Sequence, residues 1–79
     1  MVFKYPSIDL VKTGINITRL MKEKNIKVSD LQEAFGFEYP QAIYKWRRGE
    51  SLPTLDNLIV LSSIFGVTID KIIITNISK

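Results

Sequence analysis

Gly36, Gly49 and Gly66 each follow a run of apolar residues at helical spacing, and a residue free to take positive φ is what such a helix end calls for. They divide the middle of the chain into short helices and point to an all-α fold. In residues 28–35 (VSDLQEAF), Leu31 and Phe35 lie four apart on one face, with Gly36 as the stop. Phe37, Glu38 and Tyr39 then read as a turn. Pro40 suits the first position of a third helix, since its fixed φ fits a helix start and its missing N–H would be unbonded there anyway. Ala42, Ile43 and Trp46 form the inner face of that helix, and Gly49 ends it.

The flanks follow the same logic. Between Gly14 and Lys24, Ile15, Ile17, Leu20 and Met21 alternate with Arg19, Lys22, Glu23 and Lys24, so a first helix is expected there, ending near Asn25. After the connector 50–53, Thr54 is placed to cap a fourth helix to Phe65, with Leu55, Leu58, Ile59, Leu61, Ile64 and Phe65 mostly buried. Thr68 would cap a last helix through Asp70. The β-branched run Ile72-Ile73-Ile74-Thr75 fits helix or strand. Residues 1–12 read as an irregular arm with a helical turn after Ser7, Phe3 and Tyr5 packing it onto the domain; 13–73 form the domain and 74–79 a tail.

Seventy-nine residues allow one domain, and 46% hydrophobic residues against 24% charged make a chain that folds. The absence of cysteine and histidine removes disulfides, zinc fingers, thiol nucleophiles and the commonest general base. Asp9, Asp30, Glu33, Glu38 and Asp56 sit at helix starts or on polar faces, where the helix dipole explains them. With no glycine-rich phosphate loop and no nucleophile motif, neither an enzyme nor a cofactor or metal site is expected. No apolar run reaches the ~18–20 residues of a membrane span, so a soluble, cytoplasmic protein is expected.

Charge is informative by placement. The net charge is +3, and residues 39–49 hold Lys45, Arg47 and Arg48 with no acid, while residues 12–27 hold Lys12, Arg19, Lys22, Lys24 and Lys27 against Glu23 alone. Such segments suit an acidic polymer, although lysines also simply solvate helix faces. The second and third helices carry the apolar positions of two short helices packed steeply across a turn. Ile43 and Trp46 face inward only if that turn is one residue longer than minimal. A minimal turn would bury Ala42 and Lys45, and an unpaired buried lysine is costly, so the longer turn is expected.

These residues resemble the Cro/repressor-type, or XRE-type, helix-turn-helix regulators. The resemblance runs from Thr13 to about Ile73. It rests on Asn16-Ile17-Thr18-Arg19-Leu20, Leu31 with Gly36, Ile43-Tyr44-Lys45-Trp46-Arg47-Arg48-Gly49, Leu52-Pro53-Thr54-Leu55 and Phe65-Gly66-Val67-Thr68-Ile69-Asp70. The segment Pro40-Gln41-Ala42-Ile43-Tyr44-Lys45-Trp46 is similar to a long-turn subgroup of Gram-positive bacteria.

The resemblance implies a compact five-helix, lambda-repressor-like domain with the helix-turn-helix at helices 2 and 3. It implies a sequence-specific transcriptional regulator, a repressor by expectation, whose helix 3 reads the major groove of a double-stranded operator on the nucleoid. On that pattern Gln41, Tyr44 and Lys45 would read bases, a glutamine amide pairing with adenine N6 and N7. Lys27, Arg47, Arg48 and the backbone N–H groups around Gly49 would hold phosphates, which position without reading sequence. A homodimer is expected, formed through helix 5 and the Ile72–Ile77 tail or only on DNA, with no separate ligand domain.

Two departures from the family pattern bear on the site. Lys27-Val28 stands where most members have Ser or Thr followed by Gln, so the usual side-chain cap of helix 2 and its phosphate contact are lost. Met21 and Arg47 replace an arginine and glutamate that many members pair between helices 1 and 3, which would free Arg47 to turn towards DNA. The rival reading is a protein-binding helix-turn-helix module, such as an antitoxin or anti-repressor. Its discriminator is helix 3, whose Gln41, Lys45, Arg47 and Arg48 lack the apolar anchors of a protein interface.

Overall fold

The computed structural model describes residues 4–77. In chain order these form strand β1 (Pro6–Ile8), helices α1 (Leu10–Glu23), α2 (Val28–Phe35), α3 (Gln41–Arg48) and α4 (Leu55–Phe65), a 3₁₀ turn (Ile69–Lys71) and strand β2 (Thr75–Ile77). Four α-helices replace the expected five, because the last one tightens into a single 3₁₀ turn after Thr68. β1 and β2 pair antiparallel, with Ser7 opposite Asn76. The arm and tail are thus joined into a small sheet, and the isoleucine-rich run leads into a strand.

Asp9 explains why α1 starts four residues before Gly14. Its backbone is extended and its Oδ1 accepts the Lys12 N–H at 2.8 Å, which supplies the side-chain cap a helix start needs. The exposed Leu10 and Val11 broke the apolar period that would have signalled this first turn. α1 ends through Lys24 and Asn25, the latter in the left-handed region at φ 56°. Gly36 caps α2 at φ 68° and Gly49 caps α3 at φ 73°, as their sequence positions require.

The core is built from Ile17, Leu20 and Met21 of α1, Leu31 of α2, Ile43 and Trp46 of α3, Leu58, Leu61 and Phe65 of α4, and Ile72. Phe35 and Phe37 stack on each other at 5.0 Å and meet the Trp46 ring edge-on at 5.6 and 6.0 Å, closing the angle between α2 and α3 with aromatic surface. Ile72 is wholly buried, a contribution of about 1.5–3 kcal/mol for such a side chain. Ile72 thus packs on the core, while Thr75–Ile77 pair with β1.

Other expectations change. Leu55 and Ile59 are not core: they are 69% and 57% exposed, beside the partly exposed Val60 on the outer side of α4. Tyr5 is 66% exposed, while Phe3 lies outside the described residues.

Candidate nucleic-acid interface

α3 is positioned from three sides. Its inner residues Ile43 and Trp46 are buried, and Ala42 packs beside them. Lys45 is exposed, so the inward phase is the one that avoids burying a lysine. The five residues Gly36 to Pro40 connect α2 to it. Pro40 stands one position earlier than expected, as the cap residue, and its carbonyl accepts the Tyr44 N–H at 3.2 Å. Gln41 is therefore the first residue of the helix.

On the third side α1 crosses α3 at close range. A Cβ on Gly14 would lie 2.5 Å from the Trp46 carbonyl oxygen and 2.6 Å from that of Arg47. Only glycine lets the backbones approach so far. A Cβ on Gly49 would likewise meet the Val11 Cα at 2.7 Å. The end of α3 is thus held against the start of α1.

The exposed residues of α3 are Gln41, Tyr44, Lys45 and Arg48, at the i, i+3, i+4, i+7 spacing of a single helical face. Of the seven expected contact residues, these four stand together. Lys27 is exposed at the start of α2. Its backbone N–H donates to Asp30 Oδ2 at 2.8 Å, so a carboxylate from the first turn satisfies the cap residue's own N–H.

Gly49 and Arg47 both make contacts within the fold. The Gly49 N–H donates to the Trp46 carbonyl at 3.2 Å and the Glu50 N–H to that of Lys45 at 2.9 Å. Both donors are engaged in ending the helix. Arg47 is half-buried and turned towards α1: its Nε donates to Thr18 Oγ1 at 3.2 Å, and its guanidinium carbon stands 6.0 Å from the centre of the Tyr44 ring. Met21, the other residue of the replaced pair, is buried in the core.

Arg48 donates to Glu50, and both side chains are exposed. The Arg48 hydrogen bond holds the Glu50 carboxyl below the usual carboxylate range, and Glu50 raises the Arg48 guanidinium in return. The charge of this end of α3 is therefore partly offset by an acid one residue past the cap. Sequence reasoning missed Gly14 and Thr18, which set the α1–α3 geometry, and Asn16, which ties α1 to the carbonyls of Lys71 and Ile72. Their signal is a run of small and polar residues, Thr13, Gly14 and Asn16, on what is otherwise the buried side of α1.

Among the described residues, no group of His, Cys, Asp or Glu stands close enough to hold a metal ion, and no helix is long and apolar enough to cross a membrane. A short-helix domain with one polar, partly basic helix face is the class these features define. The family model described as helix-turn-helix matches residues 17–72, and the chain belongs to this XRE-type family of DNA-binding regulators. The family is regulatory and not enzymatic. Comparison with curated proteins and with solved structures finds no match.

Proposed function

We propose that this chain is a sequence-specific transcriptional regulator, acting as a repressor, in which α2, the connection 36–40 and α3 form the helix-turn-helix and α3 enters the major groove. The observation that carries the reading is the α3 face itself: Gln41, Tyr44, Lys45 and Arg48 exposed on one side, with Ile43 and Trp46 locking the other into the core. Gln41, Tyr44 and Lys45 read bases. Arg48 and Lys27 hold phosphates, while Gly49 fixes the end of the helix and Arg47, engaged with Thr18, stays out of the phosphate set.

Binding as a homodimer matches the small area one such domain presents to DNA. With the tail engaged in the fold, the uncovered apolar residues of α4, Leu55 and Ile59, are the better-supported surface for a second copy. The long connection before α3 accords with the Gram-positive long-turn subgroup, and a repressor of this kind works on the nucleoid in the cytoplasm. Selection of binding sites from a random double-stranded DNA pool tests the reading. A consensus with two inverted half-sites is expected; recovery of no consensus at low salt overturns it.

A further inference from the structure

We propose that Arg47 is a positioning residue that sets the Tyr44 ring on the DNA-facing side of α3, working from an anchor on α1. The inference rests on the reading of α3 as the base-reading helix. Three contacts form a chain. Thr18 Oγ1 donates to the Gly14 carbonyl at 2.9 Å, so its hydroxyl proton is committed and its lone pairs face outward from α1. Arg47 Nε donates to that same oxygen at 3.2 Å. The guanidinium then lies 6.0 Å from the Tyr44 ring centre, one turn back along α3.

The geometry has a cause in the sequence. Gly14 lets α1 approach the carbonyls of Trp46 and Arg47, and Thr18, one turn on, arrives within reach of the arginine by the same approach. A guanidinium suits the position because it donates from Nε at its edge while presenting a flat cationic face to the ring; an ammonium does one or the other. Tyr44 is 41% exposed, and Arg47 is the partner its ring meets across α3. A ring held before DNA arrives loses less freedom on binding than a free one.

A phosphate-binding arginine and a positioning one behave differently on substitution. Binding to single-base variants of the selected operator is measured across a salt series for Arg47→Lys, Arg47→Ala, Thr18→Val, Thr18→Ser and Tyr44→Ala, with thermal melts to establish folding. Arg47→Lys and Thr18→Val are expected to relax discrimination at the same base pair that Tyr44→Ala relaxes, by about two- to fivefold. Thr18→Ser keeps the acceptor and the wild-type preference, and Arg47→Lys adds nothing to Tyr44→Ala. The salt slope stays at the wild-type value throughout.

Wild-type base preference in Arg47→Lys, or a salt slope smaller by about one in Arg47→Ala, assigns Arg47 to a phosphate and overturns the proposal. Failure of the underlying DNA reading is distinguishable, because it appears as the absence of any consensus for the wild-type chain.

Discussion

Asn16 makes four hydrogen bonds, two of which tie the first helix to the last turn of the fold. Its Nδ2 donates to the carbonyls of Lys71 and Ile72 at 2.7 and 2.9 Å, and its Oδ1 accepts from Arg19 Nε and Nη2. The side chain is buried, so Asn16→Ala strands two carbonyls and should cost about 1–3 kcal/mol, read as a lower urea midpoint with unchanged slope. Gly14 constrains the same helix by absence of a side chain. Gly14→Ala must push α1 off the Trp46 and Arg47 carbonyls, for a loss of about 1–3 kcal/mol in the same assay. Under the inference drawn for Arg47, it also relaxes base preference, because Thr18 moves with the helix.

Among the elements, α3 separates two kinds of contact. Gln41→Ala and Lys45→Ala are expected to change which operator bases matter, whereas Arg48→Ala weakens all DNA alike and lowers the salt slope by about one. Because Glu50 holds Arg48, Glu50→Gln releases the guanidinium and removes a charge of the wrong sign. Affinity should rise by about two- to fivefold at low salt, an advantage that fades as salt is added, in fluorescence anisotropy titrations. α3 was the most legible element, since Ile43 and Trp46 share one phase and Gly49 marks the stop. α4 was the least. Its apolar residues at 55, 58, 59, 60, 61, 64 and 65 surround the helix, so periodicity could not tell the exposed Leu55 and Ile59 from the buried Leu58 and Leu61. The start of α1 and the β1–β2 pairing were hidden for another reason: a cap at Asp9 and a partner strand across the whole chain are not local signals. The bond from Arg47 to Thr18 joins two helices and was equally out of reach.

Taken as a whole, the molecule has no histidine to titrate near neutrality, so stability and DNA affinity should be level between about pH 6 and 7. Acid is different. The Lys12 N–H and the Asn76 amide hold the Asp9 carboxyl below its usual range, and hydrogen bonds from Thr54 and Thr68 do the same for Asp56 and Asp70. Carboxyls lowered by folding give stability that is present above their ordinary range and lost as pH falls through their folded values. Thermal melts at decreasing pH should therefore decline only below that ordinary range, and Asp9→Asn should make the decline shallower.

The pairing of β1 with β2 carries a kinetic consequence. Its contacts span nearly the full chain, the Ser7 to Asn76 bond closing across 69 positions, while the helices form from near neighbours. A loop that long is joined only after the helical core has condensed, and a ribbon of three residues a side has little to hold it alone. The clasp should close last in refolding and fray first in the native state. Amide exchange would show it directly, with Ser7 and Asn76 trading deuterium through local opening while Ile17 and Leu61 wait for the entire molecule to unfold.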